Sequence, residues 1–173
     1  MKSDAMKFIH SLPSKYRGVH FRSRLEARWA YYFDRIGLEW RYEPEGYNLS
    51  GEFYCPDFLC GNDWFFVEIK PNKEERDKGL TKAHALAKAT GLDVFITHGP
   101  PSMDGCYGIF PQEPTELIPH HFCHLNGYFS EYPFKEKSWC MPFIGDGYEP
   151  DQDEIDLAFH AANVRFENGC LTP

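Results

Sequence analysis

The sequence predicts an α/β fold, a mixed sheet flanked by helices, with an irregular C-terminal extension that ends in a helix. Three observations carry that expectation. Residues 23–37 have helical periodicity and are followed by short β-rich segments. The alternation from Trp64 to Lys70 reads as a strand, stopped by Pro71 and followed by a helical stretch from about Lys73 to Thr90. Leu92 to Thr97 is a compact apolar run of buried-strand length. The order is helix, three strands, helix, strand.

At 173 residues, the chain suits a single domain, 1–173, with a core at 17–98, an extension at 99–150 and a helix at 151–169. Aromatic residues at 17% and hydrophobic ones at 42% argue against a disordered chain. The first eighteen residues, MKSDAMKFIHSLPSKYRG, contain no apolar run of signal-peptide length, and no stretch is long enough to span a bilayer. The expectation is a soluble, cytoplasmic protein with no membrane partner. Its six cysteines are then read as reduced thiols or metal ligands rather than three disulfides.

The net charge of -8 is unevenly spread. Residues 1–91 carry 15 Lys and Arg against 13 Asp and Glu, whereas residues 92–173 carry 3 against 13. The first 41 residues hold 9 basic groups and 4 acidic ones, so a local basic surface is compatible with the global sign.

In chain order, residues 1–22 read as an extended arm with Lys15, Arg17 and Arg22 near a small turn at Gly18. Arg17, Arg22 and Arg24 are candidates for phosphate contact, the alternative being solvated basic surface. Ser23 opens the first helix, in which Leu25, Trp29, Tyr32 and Ile36 recur at spacings of four, three and four and Gly37 is the stop. Glu26 lies three residues after Ser23, the capping-box spacing, and on a side shared with Ala30 and Phe33 that is expected to pack inward. Trp40 and Tyr42 form a first strand, the turn Glu43-Pro44-Glu45-Gly46 leaves it, and Tyr47 to Leu49 leads into the second. Asn72 caps the second helix and Gly91 ends it. Tyr107 to Phe110 is a further candidate strand. Residues 111–150 have no clear period, and Asp151 to Asn168 read as a helix with Ile155, Phe159, Ala162 and Phe166 on its buried face.

The chemistry concentrates between Gly51 and Pro71. Phe66, Glu68 and Lys70 share one face of their strand, while Phe65, Val67 and Ile69 share the other. A Glu and a Lys at the end of so apolar a strand are costly to desolvate unless a metal, a partner or a substrate compensates them. Asp57 follows Pro56 in an extended run, Phe53 to Leu59. The Gly-Asn-Asp turn signal within Cys60 to Asp63 folds that run back, carrying Asp57 toward Glu68.

Pro56-Asp57, ten intervening residues, then Glu68-Ile69-Lys70 resembles the PD-(D/E)xK nuclease superfamily. Residues 22–28, Arg-Ser-Arg-Leu-Glu-Ala-Arg, are similar to the acid-bearing helix of its TnsA-like and phage-borne endonucleases. The resemblance covers residues 17–98 and implies a restriction-endonuclease-like αβββαβ core. It implies Mg²⁺, with Mn²⁺ able to substitute, held by Asp57 and Glu68 with the Ile69 carbonyl as a further ligand. Glu26 would join directly or through water, the alternative being that it serves only as the cap of Ser23. Lys70 would orient the attacking water and counter transition-state charge, and Lys82 or Lys78 on the next helix would face the substrate phosphate.

The implied activity is a metal-dependent endonuclease acting on DNA, with exonuclease action and RNA left open. It would work as a monomer or homodimer, or within a recombination, transposition or phage–host complex. The rival reading is a catalytically silent nuclease-fold module that binds or inhibits a protein partner through its acidic C-terminal half. A binding module has no reason to keep Glu26, Asp57, Glu68 and Lys70 together. A structural Zn²⁺ held by His120, His121, Cys123 and His124, with Cys140 or Cys106, is a further reading, disfavoured because the segment lacks a CxxC pair.

Overall fold

The computed structural model describes residues 12–102, 106–111, 113–121, 143–144, 152–167 and 170–171. In chain order the elements are β1 (Ser14–Tyr16), β2 (Val19–Phe21), α1 (Arg24–Arg35), β3 (Trp40–Tyr42), β4 (Tyr47–Leu49), β5 (Glu52–Tyr54), β6 (Phe58–Cys60) and β7 (Phe65–Lys70). They continue with α2 (Lys73–Thr90), β8 (Asp93–His98), β9 (Cys106–Phe110), β10 (Glu113–His121), β11 (Phe143–Ile144), α3 (Gln152–Asn163), β12 (Phe166–Glu167) and β13 (Cys170–Leu171). The architecture is mixed α/β. Its main sheet has seven strands in the order β11-β10-β9-β8-β7-β6-β3. Only β7 and β8 pair in parallel there, because α2 supplies the crossover that parallel neighbours need. No helix among the described residues is long and apolar enough to cross a membrane.

The alternation along the strands sorts the core into two layers. Phe58, Cys60, Phe65, Val67, Ile69 and Phe95 pack with Ala27, Trp29, Ala30 and Phe33 of α1 and with Ala158 and Ala161 of α3. On the other side, Leu59, Phe66, Val94 and Ile96 meet Ala83, Leu86 and Ala87 of α2, with Tyr47, Leu49 and Tyr54 at the edge. The period of two thus feeds both helical layers from one set of strands. Ser23 caps α1 with the full capping box: its hydroxyl accepts from the Glu26 N–H, and its own N–H donates to Glu26. Asn72 caps α2, and Gly91 ends it in the left-handed conformation.

Several expectations change. Residues 14–21 are no arm but a hairpin, turned at Arg17 (φ 47°) and Gly18 (φ 82°), the two positive values that a tight two-residue hairpin turn requires. That hairpin belongs to a second sheet of order β12-β13-β1-β2, which joins the two ends of the described chain. Five strands rather than three lie between α1 and α2. The run Phe53 to Leu59 is broken, so that β5 pairs with β4 in a separate two-stranded sheet while β6 pairs with β3 and β7. Trp64 falls in the turn before β7. Within the described part of the extension, β9 covers the expected strand at Tyr107 to Phe110, and β10 widens the main sheet further.

The C-terminal helix stops at Asn163, and Phe166 is in β12. Its buried stripe is Glu154, Leu157, Ala158 and Ala161, whereas Ile155 and Phe159 are exposed, the latter by 70%. Small side chains face inward because α3 lies against α1, and close approach of two helix backbones selects alanine over phenylalanine at the contact.

Phe21 and Phe159 should therefore respond oppositely to truncation. Phe21 is buried, with its ring 4.5 Å from that of Tyr42 and 5.8 Å from that of Trp40. Phe21→Ala should cost about 3–5 kcal/mol in urea unfolding, and Phe159→Ala should stay within about 0.5 kcal/mol of the parent. Comparable losses from both would mean that α3 docks through the face rich in large apolar residues.

Candidate active site at the end of the β6–β7 hairpin

The backbone ladder between β6 and β7 reaches Phe58 opposite Val67. One step further out, the same register brings Asp57 opposite Glu68, and here side chains take over from the ladder. The Asp57 N–H donates to Glu68 Oε1 at 3.2 Å, and the Ile69 N–H donates to Asp57 Oδ2 at 2.8 Å. On its other edge the Asp57 carbonyl accepts the Glu43 N–H at 2.9 Å. Each carboxylate thus satisfies a backbone donor that the end of the hairpin would otherwise leave unpaired. Both acids are buried, Asp57 at 4% and Glu68 at 1% exposure.

That closeness has an electrostatic consequence. Burial first, and then the Glu68 carboxylate, push the Asp57 carboxyl well above its ordinary value, with Lys70 and the Ile69 N–H pulling the other way. The Lys70 ammonium donates to Glu68 Oε2 at 2.7 Å. Burial alone would lower it, yet Glu68 and Asp57 outweigh that effect and raise it, so Lys70 stays charged. Helix α2 lies directly on this lysine. A Cβ at Gly79 would come within 3.2 Å of Lys70 Cε and 3.0 Å of Ile96 Cδ1, so the helix passes close over both side chains. Burial, and then the nearby Glu68 carboxylate, hold the Tyr54 phenol far above the ordinary range.

Glu26 reaches the same region from α1. While accepting the Ser23 N–H at 3.2 Å, Glu26 Oε2 also accepts the Tyr42 hydroxyl at 2.6 Å, so capping and attachment to the site coincide in one side chain. Arg22 binds the acids together: its Nη2 donates to Asp57 Oδ1 at 2.6 Å, its Nε lies 2.8 Å from Glu43 Oε1, and Glu26 Oε1 is 3.9 Å away. The Tyr42 oxygen accepts from both Arg22 N–H at 3.1 Å and Nε at 3.2 Å.

The structure therefore brings Glu26, Asp57, Glu68, Ile69 and Lys70 into one neighbourhood and adds Arg22, which sequence reasoning had placed on a phosphate-contacting arm. The other basic candidates lie elsewhere. Arg17 pairs with Asp34 at 2.7 Å, Arg24 is exposed on α1, and Lys82 of α2 pairs with Glu52 of β5. Lys78 is occupied by Glu74 and Glu75. Sequence reasoning missed Tyr42, Glu43 and Tyr54. Nothing local distinguishes them from ordinary strand and turn residues, because their roles come from strand register. A cavity of about 390 Å³, lined by Glu39, Trp40, Arg41, Leu59, Asn62 and Asp63, lies at the turn end of the hairpin, away from the carboxylates.

Among the described residues, no three His, Cys, Asp or Glu side chains are grouped so as to hold a metal ion. Asp57 and Glu68 nevertheless fit a hard divalent cation of the Mg²⁺ type, which takes oxygen donors and is commonly held by one or two carboxylates plus substrate phosphates. For zinc, His120 and His121 are in β10, and Cys123, His124 and Cys140 lie outside the described residues. Cys106 is a buried free thiol in β9, as is Cys60 in β6. No family model, curated protein or solved structure matches the chain.

The raised Asp57 carboxyl predicts a pH signature. With its folded value above the unfolded one, the native state binds more protons in the window between the two, so this residue's contribution to stability falls as pH rises through that window. The unfolding free energy of Asp57→Asn minus that of the parent should therefore increase from about pH 4 upward. A difference independent of pH in parallel urea titrations would show that Asp57 titrates normally.

Proposed function

We propose that this protein is a metal-dependent nuclease that hydrolyses phosphodiester bonds in DNA, with a restriction-endonuclease-like core built from α1, β3, β6, β7, α2 and β8. The observation that supports it best is the juxtaposition of buried Asp57 and Glu68 at one hairpin end, with the Lys70 ammonium on Glu68. A divalent cation of the Mg²⁺ or Mn²⁺ type, when bound, supplies charge stabilisation at the phosphate oxygens. Asp57 and Glu68 would hold it through oxygen, with Glu26 contributing through water. The Ile69 carbonyl is a candidate further ligand, while its N–H fixes the orientation of Asp57. Lys70 stays protonated and orients the attacking water, lending positive charge where negative charge develops. Arg24 of α1, with Lys73 and Lys88 of α2, is exposed and available to the phosphate backbone.

Cleavage of a duplex, single-stranded or branched oligonucleotide should require Mg²⁺ or Mn²⁺, stop in EDTA, and vanish in Asp57→Ala and Glu68→Ala while circular dichroism stays native. Full activity in EDTA would end the two-carboxylate mechanism.

A second reading has its own observation. Each of the four acids around Arg22 and Lys70 already meets a donor within the protein, as a purely structural ion network would. On that reading the protein is a non-cutting module whose acidic C-terminal half engages a basic partner. Cleavage in the first test would end that reading, and Glu26→Gln then separates a cap from a metal-site acid, since glutamine keeps an acceptor for Ser23 but loses the charge. The nuclease reading expects turnover down by orders of magnitude with little change in melting temperature, whereas a loss of about 1 kcal/mol with normal turnover would leave Glu26 as a cap alone.

A further inference from the structure

Four carboxylates, Glu26, Glu43, Asp57 and Glu68, converge on two cations, Arg22 and Lys70. The two cations are not equivalent. Lys70 has its side chain 22% exposed under α2 and is bonded to Glu68 alone, two residues away on its own strand. Arg22 enters from outside: its side chain is 56% exposed, while the Asp57 carboxylate it reaches is 6% exposed. Its backbone is anchored by the bond to Tyr42 and by Ser23, the cap of α1, so the side chain pivots from a fixed point. The guanidinium takes Asp57 Oδ1, and the other oxygen, Oδ2, is committed to the Ile69 N–H.

We propose that Arg22 is a built-in counter-ion that holds Asp57 closed to divalent cations, so that metal loading and release of Arg22 toward a substrate phosphate are one coupled event. This rests on the nuclease reading in taking Asp57 as a metal ligand. A cation on Oδ1 would lie against the guanidinium nitrogen now 2.6 Å from that oxygen, and two like charges cannot share it without strong repulsion. Arginine cannot escape by losing its proton, because its guanidinium stays charged in proteins. The route left is movement. Being more than half exposed, the side chain can leave without opening the core, and its planar fork suits a phosphate as well as a carboxylate. The expected phosphate contact by Arg22 and its observed place among the acids then describe two states of one residue.

The test is Mn²⁺ binding by calorimetry to the full chain without nucleic acid, comparing the parent with Arg22→Ala, Arg22→Gln and Asp57→Ala, each checked for a native melting transition. Arg22→Gln retains an amide donor for Asp57 without the charge, in case the alanine variant folds poorly. Both Arg22 variants should bind Mn²⁺ about tenfold tighter than the parent, and Asp57→Ala should lose binding. In the parent, the Arg22 Nε–H resonance should shift on Mg²⁺ addition as it leaves Glu43. Unchanged or weaker affinity in both Arg22 variants, with binding still lost in Asp57→Ala, would overturn the coupling and leave the metal reading standing. No Mn²⁺ binding by the parent or by either Arg22 variant would overturn both.

Discussion

Two buried carboxylates facing each other across the end of a hairpin constrain most of what surrounds them. Asp57 and Glu68 are placed there by the β6–β7 register, and each accepts a backbone N–H of the strand opposite. Those bonds make the pair part of the sheet rather than decoration on it. They also create an electrostatic debt, since like charges removed from water repel strongly. Lys70 and Arg22 answer it from two directions, one along the strand and one from the segment before α1. Gly79 belongs to the same arrangement, because it is where α2 passes over the lysine side chain.

Glu26 illustrates why a structural and a chemical role need not compete. The capping box fixes its backbone and one of its oxygens at the start of α1, and the Tyr42 hydroxyl shares that oxygen. An acid held this way is pre-oriented, with little rotamer freedom left to lose when it contributes to a site. Tyr42 in turn accepts two bonds from Arg22, so the helix cap, strand β3 and the arginine form one hydrogen-bonded unit.

The parts of this arrangement that could be read from sequence are those governed by local rules. Strand β7 shows its alternation, Asn72 and Gly91 mark the limits of α2, and Ser23 with Glu26 announces the cap. What escaped depends on partners far away in the chain. The β1–β2 hairpin has a turn signal at Arg17-Gly18, but its pairing of Lys15 with Cys170 leaves no local trace. Strands β4 and β5 are three residues each, too short for a period, and only their strand partners separate them from β6. Arg22 reads from sequence as a phosphate contact or as solvated basic surface, because charge counting ignores that Asp57, 35 residues on, is folded against it. On α3, the largest apolar side chains suggested the wrong face, since close packing against α1 favoured alanine.

The relative placement of helix and strand acids depends on one further connection. The Trp29 indole N–H of α1 donates to the Gly99 carbonyl at 2.9 Å, and the Gly99 N–H donates to the Lys70 carbonyl at 2.8 Å. Gly99 sits just past β8 at φ 71°, a conformation that costs glycine little and a branched residue much. Through it, the helix carrying Glu26 is tied to the strand carrying Glu68 and Lys70 at the open end of the only parallel pair in the main sheet. With both acids of the hairpin fixed by backbone bonds and the helix acid fixed by its cap, the freedom of the site is concentrated in one place. Arg22 is its most exposed charged side chain, and the partners it holds, Glu43 and Asp57, are both more buried than it is.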